Sequence, residues 1–412
     1  MKHQDPSRRR AIPVLLALAL LGAACGSDDT SDSSATADVA DAGDVATETT
    51  TGGDPASGAD DDSSGSEATS SATADDATAD ESSASGTAGT EETDGAAGTE
   101  AADDEAAGAT KIVQTSFGEV EVPVDPERIV ALDAVAAMNL ISVGVEPTTV
   151  FDINGAEAVR NVLTDRGIEL RSDLGDGFSE LNYEAVAAER PDLIMIVAVD
   201  GFESLTDPLR EIAPTIVVPF FGTWEEMMTD TGAIFDRQDE AAAVIEGLEQ
   251  RFAEVSDVVA GDPFSLSILA SGLGFLLALS PDASISLTAD AVGISRPAAQ
   301  TGDIPPFMGQ PAFSVSEELL IDHDADVVAL LAGQFYDDAA VRAIPTFDNL
   351  SAAQEGNVVT VDGDLWFTGH PFAVFWQLAD LEAIATGDAE AGVGSAADSL
   401  ERWAQYVELG AA

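Results

Sequence analysis

Short β-branched runs recur along the last 300 residues of the chain, with helix-like stretches between most of them. They are RIVAL (128–132), TTVF (148–151), DLIMIVA (192–198) and TIVVPF (215–220). After a break come SLSILA (265–270), DVVALLA (326–332) and NVVTVDG (357–363). Apolar runs of strand length alternating with helical pattern predict parallel α/β layers. Between the two groups, Val244, Leu248, Phe252, Val255 and Val259 fall at helical spacing on one stripe. This predicts a single helix over 238–260, roughly 30 Å long at its ordinary rise per residue. The expected fold is α/β: two Rossmann-like lobes of parallel sheet, 111–237 and 261–412, joined by that helix.

An internal repeat supports two lobes. EAVAAERPDLIMIVA (184–198) and ELLIDHDADVVALLA (318–332) align without a gap. Each has a glutamate, an apolar helical turn, a polar corner, an aspartate (Asp192, Asp326) and then a strand. A residue suited to capping, Asn182 or Ser316, stands two places before each glutamate.

Upstream of Lys111 the pattern vanishes. Residues 25–110 are almost wholly Ala, Ser, Thr, Gly, Asp and Glu, with no aromatic residue and no period. Such a linker cannot bury enough surface to fold and reads as a disordered tether with a reach of about 50 Å. Residues 1–24 place Arg8, Arg9 and Arg10 before an apolar run too short to span a bilayer, the pattern of an export signal. Cys25, the chain's one cysteine, closes that run in LGAAC. The junction resembles the lipobox of bacterial lipoproteins, which implies a lipid-anchored, extracytoplasmic protein held to the membrane through Cys25 alone.

A single cysteine excludes thiolate metal sites and a disulfide framework. The formal charge is −60, and 24 of the 76 acids precede residue 111, leaving 52 against 12 Lys/Arg after it. That field disfavours nucleic acid and suits a solvated acidic surface in a salty habitat.

The segments GEVEVPVDPERIVALD, NYEAVAAERPDLIMI, LREIAPTIVV, AVGISRPAAQTGD, SVSEELL and FDNLSAAQEGNVVTVDGDLW occur in this order from 118 to 366. Together they resemble the substrate-binding proteins of ABC importers for iron-siderophores and vitamin B12, the group with a rigid interlobe helix. The resemblance implies a monomeric receptor, not an enzyme, that hands its ligand to a permease and its ATPase. It also implies permease docking by one glutamate per lobe in an N-x-E or S-x-E pattern, which here gives Glu184 and Glu318. A carboxylate in a first helical turn is independently favoured by about 0.3–1 kcal/mol, which alone would explain one such glutamate, whereas a matched pair at corresponding points of both lobes points to docking.

Ligands of parallel α/β layers meet the carboxyl ends of the strands. The loops expected there gather aromatic residues, and Trp224, Trp366, Tyr336, Phe221, Phe202, Phe367 and His370 are the expected ligand contacts. Basic groups are nearly absent, with Arg171 at an edge and Arg296 in ISRP not assignable to the cleft. A trianionic catecholate or citrate complex would want arginines. The expectation is therefore a ferric siderophore of hydroxamate type, with cobalamin as the rival ligand.

Other chemistry is poorly supported. DHDAD (322–326) sits where a helix meets a strand on the edge away from the cleft, and the mature chain has only His323 and His370, so no metal site is expected. GLGFLL lacks the third glycine of a dinucleotide loop, and no G-x-S-x-G elbow occurs. No catalytic residue and no cofactor are assigned. A lipid-anchored enzyme or sensor on the same scaffold is the alternative from another class.

Overall fold

The computed structural model describes residues 108–410 apart from 116, 153–154, 176–180, 199–202 and 221. The export segment 1–24, Cys25, nearly all of the linker, Phe202 and Phe221 lie outside the described residues.

The first lobe opens with an antiparallel hairpin, β1 (Thr110–Thr115) and β2 (Gly118–Pro123). There follow β3 (Ile129–Ala131), α1 (Ala134–Ser142), β4 (Thr149–Phe151), α2 (Glu157–Asp165), β5 (Glu169–Arg171) and α3 (Tyr183–Ala188). The lobe closes with β6 (Leu193–Ala198), α4 (Glu203–Arg210), β7 (Thr215–Pro219) and α5 (Trp224–Phe235). Its five-stranded sheet is wholly parallel, in the order β5-β4-β3-β6-β7. Reversal of strand order on either side of β3 creates the crevice expected of such sheets.

Helix α6 (Gln238–Gly261) follows at once. Val244, Leu248, Val255 and Val259 of its stripe are buried. Gly247 is no hinge: a Cβ there would come within 2.2 Å of the Leu409 carbonyl oxygen, so glycine is required where the chain's last turn crosses the helix.

The second lobe comprises β8 (Leu266–Gly272), β9 (Phe275–Leu279), α7 (Ser284–Ala291), β10 (Ala312–Ser314), β11 (Val327–Ala332), α8 (Asp338–Arg342), α9 (Ser351–Glu355), β12 (Val358–Asp362) and α10 (Gly363–Phe367). Its sheet order is β10-β9-β8-β11-β12. Only β8, β11 and β12 are parallel; β9 turns back on β8, and β10 lies antiparallel to β9. The parallel sheet expected of this lobe is its β8-β11-β12 part, which β9 and β10 extend as an antiparallel edge. Leu273 and Gly274 both adopt positive φ (55° and 80°), which makes GLGF a two-residue hairpin turn.

The chain ends with α11 (Pro371–Ala385), α12 (Ala389–Gly392) and α13 (Ser399–Glu408). Helix α13, within the expected unit 261–412, packs against residues of the first lobe. Tyr406 Oη donates to Ser142 Oγ at 2.9 Å, Asn161 Nδ2 donates to Ala396 O at 3.1 Å, and Arg166 lies over the Trp403 ring. One continuous apolar core under α1, α5, α6, α11 and α13 therefore joins both lobes, while each sheet's opposite face has a core of its own.

The repeated aspartates are staples. Asp192 accepts from the Glu127 and Arg128 amides at 2.9 Å each, tying the start of β6 to the approach of β3. Asp326 accepts from the amide and hydroxyl of Ser265 at 2.7 Å each, tying β11 to β8 in the same way. Asn182 caps α3 by accepting from the Ala185 amide, whereas the Ser316 side chain makes no capping bond and the turn that follows it, Glu317–His323, is a 3₁₀ helix.

Candidate functional site

The carboxyl ends of β8, β11 and β12 converge on the side chain of Tyr336. Its ring is slotted between two glycines: a Cβ on Gly363 would stand 2.6 Å from Cδ2, and one on Gly272 would stand 3.7 Å from Cδ1. Burial, and then the charge of Asp364, push the phenol above its usual range. The Tyr336 and Phe367 ring centroids are 6.1 Å apart. Phe220, which follows β7 in the other lobe, stands 6.4 Å from Phe367. Backbone comes close here as well, since a Cβ on Gly369 would lie 3.8 Å from the Gly222 carbonyl oxygen. Three rings from two lobes thus form one series between the sheets.

Polar groups lie beside it. In the first turns of α2, Arg160 Nη1 pairs with Asp152 Oδ2 at 3.2 Å and donates to the Gly155 carbonyl. Burial raises the carboxyls of Asp152 and Asp364. The positive charge of Arg160 opposes both shifts, so it acts on an acid of each lobe. Asp364 Oδ2 also accepts from the Gln334 amide at 3.0 Å. Beneath this layer, Asp133 caps α1 and accepts from the Ala136 and Val197 amides at 2.7 Å each. Asp362 caps α10 by accepting from the Asp364 and Leu365 amides at 3.1 Å each. Burial raises both caps to about 6.

Of the expected contacts, the structure brings Tyr336 and Phe367 together at this place. Trp224 is elsewhere: it opens α5 behind the Thr223 cap and stacks on Phe252 of α6, with centroids 6.0 Å apart and planes 14° apart. Trp366 is fully buried, its indole N–H donating to Asp380 Oδ2 at 2.8 Å. One residue's rotation along α10 turns Trp366 into the core and Phe367 toward the other lobe. His370 is buried as the N-cap of α11, where Nδ1 accepts from the Ala373 amide at 3.1 Å. Burial drives its pKa down to about 3, so the ring is neutral and structural.

Sequence reasoning undervalued Phe220 and missed Arg160. Arg160 stands on the polar side of an amphipathic helix, where an arginine reads as solvated. Its proximity to the strand ends follows only from its place in the first turns of the helix after β4. Arg171 is committed to Asp173 and Glu189 and lies over the Phe151 ring. Arg296 is half-buried beside the amino half of β8, bonded to Ser286, Gln300 and the Leu279 carbonyl, away from the strand ends.

The DHDAD segment is structural throughout. His323 is buried against Gln300, Asp324 accepts from the Ser351 amide at 2.8 Å, and Asp326 is the staple described above. No cluster of three metal-ligating side chains occurs among the described residues. Glu184 and Glu318 occupy matching places, each exposed in the first turn of the helix that precedes β6 or β11. No helix among the described residues is long and apolar enough to cross a membrane.

The sequence model of the periplasmic binding protein family matches residues 165–365, a span that holds part of both sheets and, of the cleft rings, Phe220 and Tyr336. Over that span, just under half of its length, the chain is similar to this family. Its members and structural neighbours are substrate-binding proteins, not enzymes. Among curated periplasmic binding proteins, the chain is 26% identical over 294 residues to the probable siderophore-binding lipoprotein YfiY of Bacillus subtilis, covering 67% of this chain and 88% of that one. Two solved structures share the two-lobed fold. The FhuD protein from S. pseudintermedius matches at TM-score 0.54 and 22% identity, over 67% of this chain and 98% of that one. The petrobactin-binding protein YclQ of Bacillus subtilis matches at TM-score 0.56 and 19% identity, over 67% and 99%.

Proposed function

We propose that this chain is a periplasmic binding protein that captures a ferric siderophore, of hydroxamate type, between its lobes and delivers it to an ABC permease. The observation that carries the reading is the Phe220–Phe367–Tyr336 series. Flat rings contributed by both lobes at their strand ends offer stacking faces to a ligand held between them. The names of relatives and fold neighbours that bind siderophores support the same ligand class. Charge supports the hydroxamate choice. Among the described residues Arg160, the arginine beside the rings, is met by Asp152 and also acts on Asp364, which leaves it little excess positive charge for a trianionic catecholate.

Delivery falls to Glu184 and Glu318. Two exposed carboxylates at matching points of the lobes make a two-point contact for permease arginines, and pairing at both would fix orientation. Cys25 is proposed as the lipid attachment and residues 26–110 as the tether. This places the receptor outside the cytoplasmic membrane as a monomer.

Titration of the purified chain with ferric hydroxamates, ferric catecholates and cobalamin, followed by tryptophan fluorescence, tests the ligand. Saturable quenching by a ferric hydroxamate is expected. Tight binding of a trianionic catecholate alone overturns the charge argument, and binding of cobalamin alone overturns the ligand class.

A further inference from the structure

The turn between β8 and β9 carries two bulky apolar side chains where a small polar turn would suffice. Leu273 holds φ at 55° and Gly274 at 80°, a turn whose first central position favours Asn, Asp or Gly. A γ-branched side chain in that region is strained, and strain of this kind gathers at sites with a task. Leu273 is 55% exposed and Phe275 is 45% exposed. Phe275 is nonetheless held in place, edge-on against Phe307 at 4.9 Å.

Position assigns the tip to the cleft. Gly272, just before the turn, lies beside the Phe335 carbonyl and the Tyr336 ring, so the tip continues the series that runs through Phe367 to Phe220. Along β9, Phe275 shares a side with Leu277, which packs in the core that Tyr336 and Phe367 also join. Leu276 points the other way, into the core that holds Leu320 from the turn bearing Glu318. The exposed pair therefore sits on the cleft side of the sheet and not on the docking side. Residues 272–279 carry no charge, and the one charge in 333–337, Asp337, caps α8 by accepting from the Ala340 amide, so the surface suits an uncharged, apolar group.

We infer that Leu273 and Phe275 form a lip of the cleft that receives a hydrocarbon arm of the bound ferric chelate. This rests on the cleft reading above and refines its ligand: an iron-binding head lies between the lobes, and an apolar arm lies across the second lobe's rim. Each buried methylene is worth about fourfold in affinity.

The test uses the full chain and two pairs of compounds that differ only in acyl length. They are the ferric complexes of N-acetyl- and N-octanoyl-desferrioxamine B, and the same acyl pair on a ferric tricatecholamide. The octanoyl member of the bound pair is expected to bind at least tenfold more tightly. In Leu273→Asn, and more fully in Leu273→Asn with Phe275→Ser, that ratio should collapse toward one. Leu273→Asn should also raise the melting temperature, because Asn accepts positive φ; a merely structural leucine would lower it. Equal binding within the bound pair, or a preference that survives both substitutions, overturns the lip while leaving the cleft intact. Failure of all four compounds to bind overturns the cleft reading and the lip with it. Unchanged ratios with lost uptake would assign the tip to the permease, and a dimer abolished by the substitutions would assign it to a second copy. Either result refutes the inference.

Discussion

Phe220 and Phe367 come from opposite lobes and bring their ring centroids to 6.4 Å. Among the described residues no other ring pair joins the end of a first-lobe strand to the end of a second-lobe helix, so a flat ligand between the sheets should meet both. Phe220→Ala and Phe367→Ala should each weaken ligand binding by about 0.5–1.5 kcal/mol beyond the loss of contact area. The double variant should be non-additive if the rings grip one ligand face. Calorimetric titration of the four proteins checks this, and additivity within error would place the rings in separate roles.

Gly363 is the tightest point of the Tyr336 slot. Gly363→Ala would place a methyl group 2.6 Å from Cδ2 and force the ring to move. Overpacking of this kind costs about 1–3 kcal/mol of stability. Affinity should fall together with the melting temperature, whereas Tyr336→Phe should keep both. A Gly363→Ala protein with undiminished affinity would separate Tyr336 from ligand contact.

Glu184→Ala with Glu318→Ala should leave ligand affinity unchanged and abolish uptake by cells. Both side chains are exposed at the head of their helices, so stability should shift by no more than about 0.5 kcal/mol. Retained uptake would reduce them to helix-end residues.

Asp380 is fully buried between Arg402, at 2.7 Å, and the Trp366 indole, at 2.8 Å. Asp380→Ala leaves a buried guanidinium without its counter-charge, which costs about 3–5 kcal/mol. Chemical denaturation should register that loss. A loss near 1 kcal/mol would mean that the guanidinium finds water instead.

Asp133 and Asp362 keep their protons up to about pH 6 in the folded state, while an unfolded aspartate releases its proton near 3.8. At these two groups the native chain therefore binds more protons than the unfolded one between those values, so they make stability fall as pH rises from about 4 to about 6, while His370, neutral in the fold down to about pH 3, makes it rise toward the ordinary imidazole value of 6.5. Self-repulsion among 52 acids and 12 bases after residue 110 acts in the same direction as the two aspartates. Asp133→Asn with Asp362→Asn should make the change in unfolding free energy from pH 5 to pH 7.5 less negative than in the unaltered chain, and added salt should raise stability at pH 7.5. A pH dependence that those substitutions leave unchanged, with no response to salt, would contradict both effects.

The legible part of the fold was whatever periodicity and repetition encode. The strand runs, the stripe on α6 and the pair Asp192 and Asp326 all emerge from spacing. What stayed hidden depends on direction and distance. Trp366 and Phe367 are neighbours in sequence, yet one is sealed in the core and the other faces the opposite lobe, and composition cannot separate them. Trp224 sits beside Gly222 as a loop residue would, but Thr223 caps a helix there and turns the indole onto Phe252. Arg160 needed the sheet before its reach could be read. The hairpin at Leu273 was missed because leucine is a poor advertisement for positive φ.

Helix α13 lies on α2 and α1, so the second lobe is gripped at both ends by the first: through α6 on the way out, and through Tyr406 and Trp403 on the way back. A body clamped at two points has little freedom to swing. Adaptation to cargoes of different size would then fall to the rims, which makes the mouth, and not a jaw-like motion, the part that would diverge first between close relatives of this receptor.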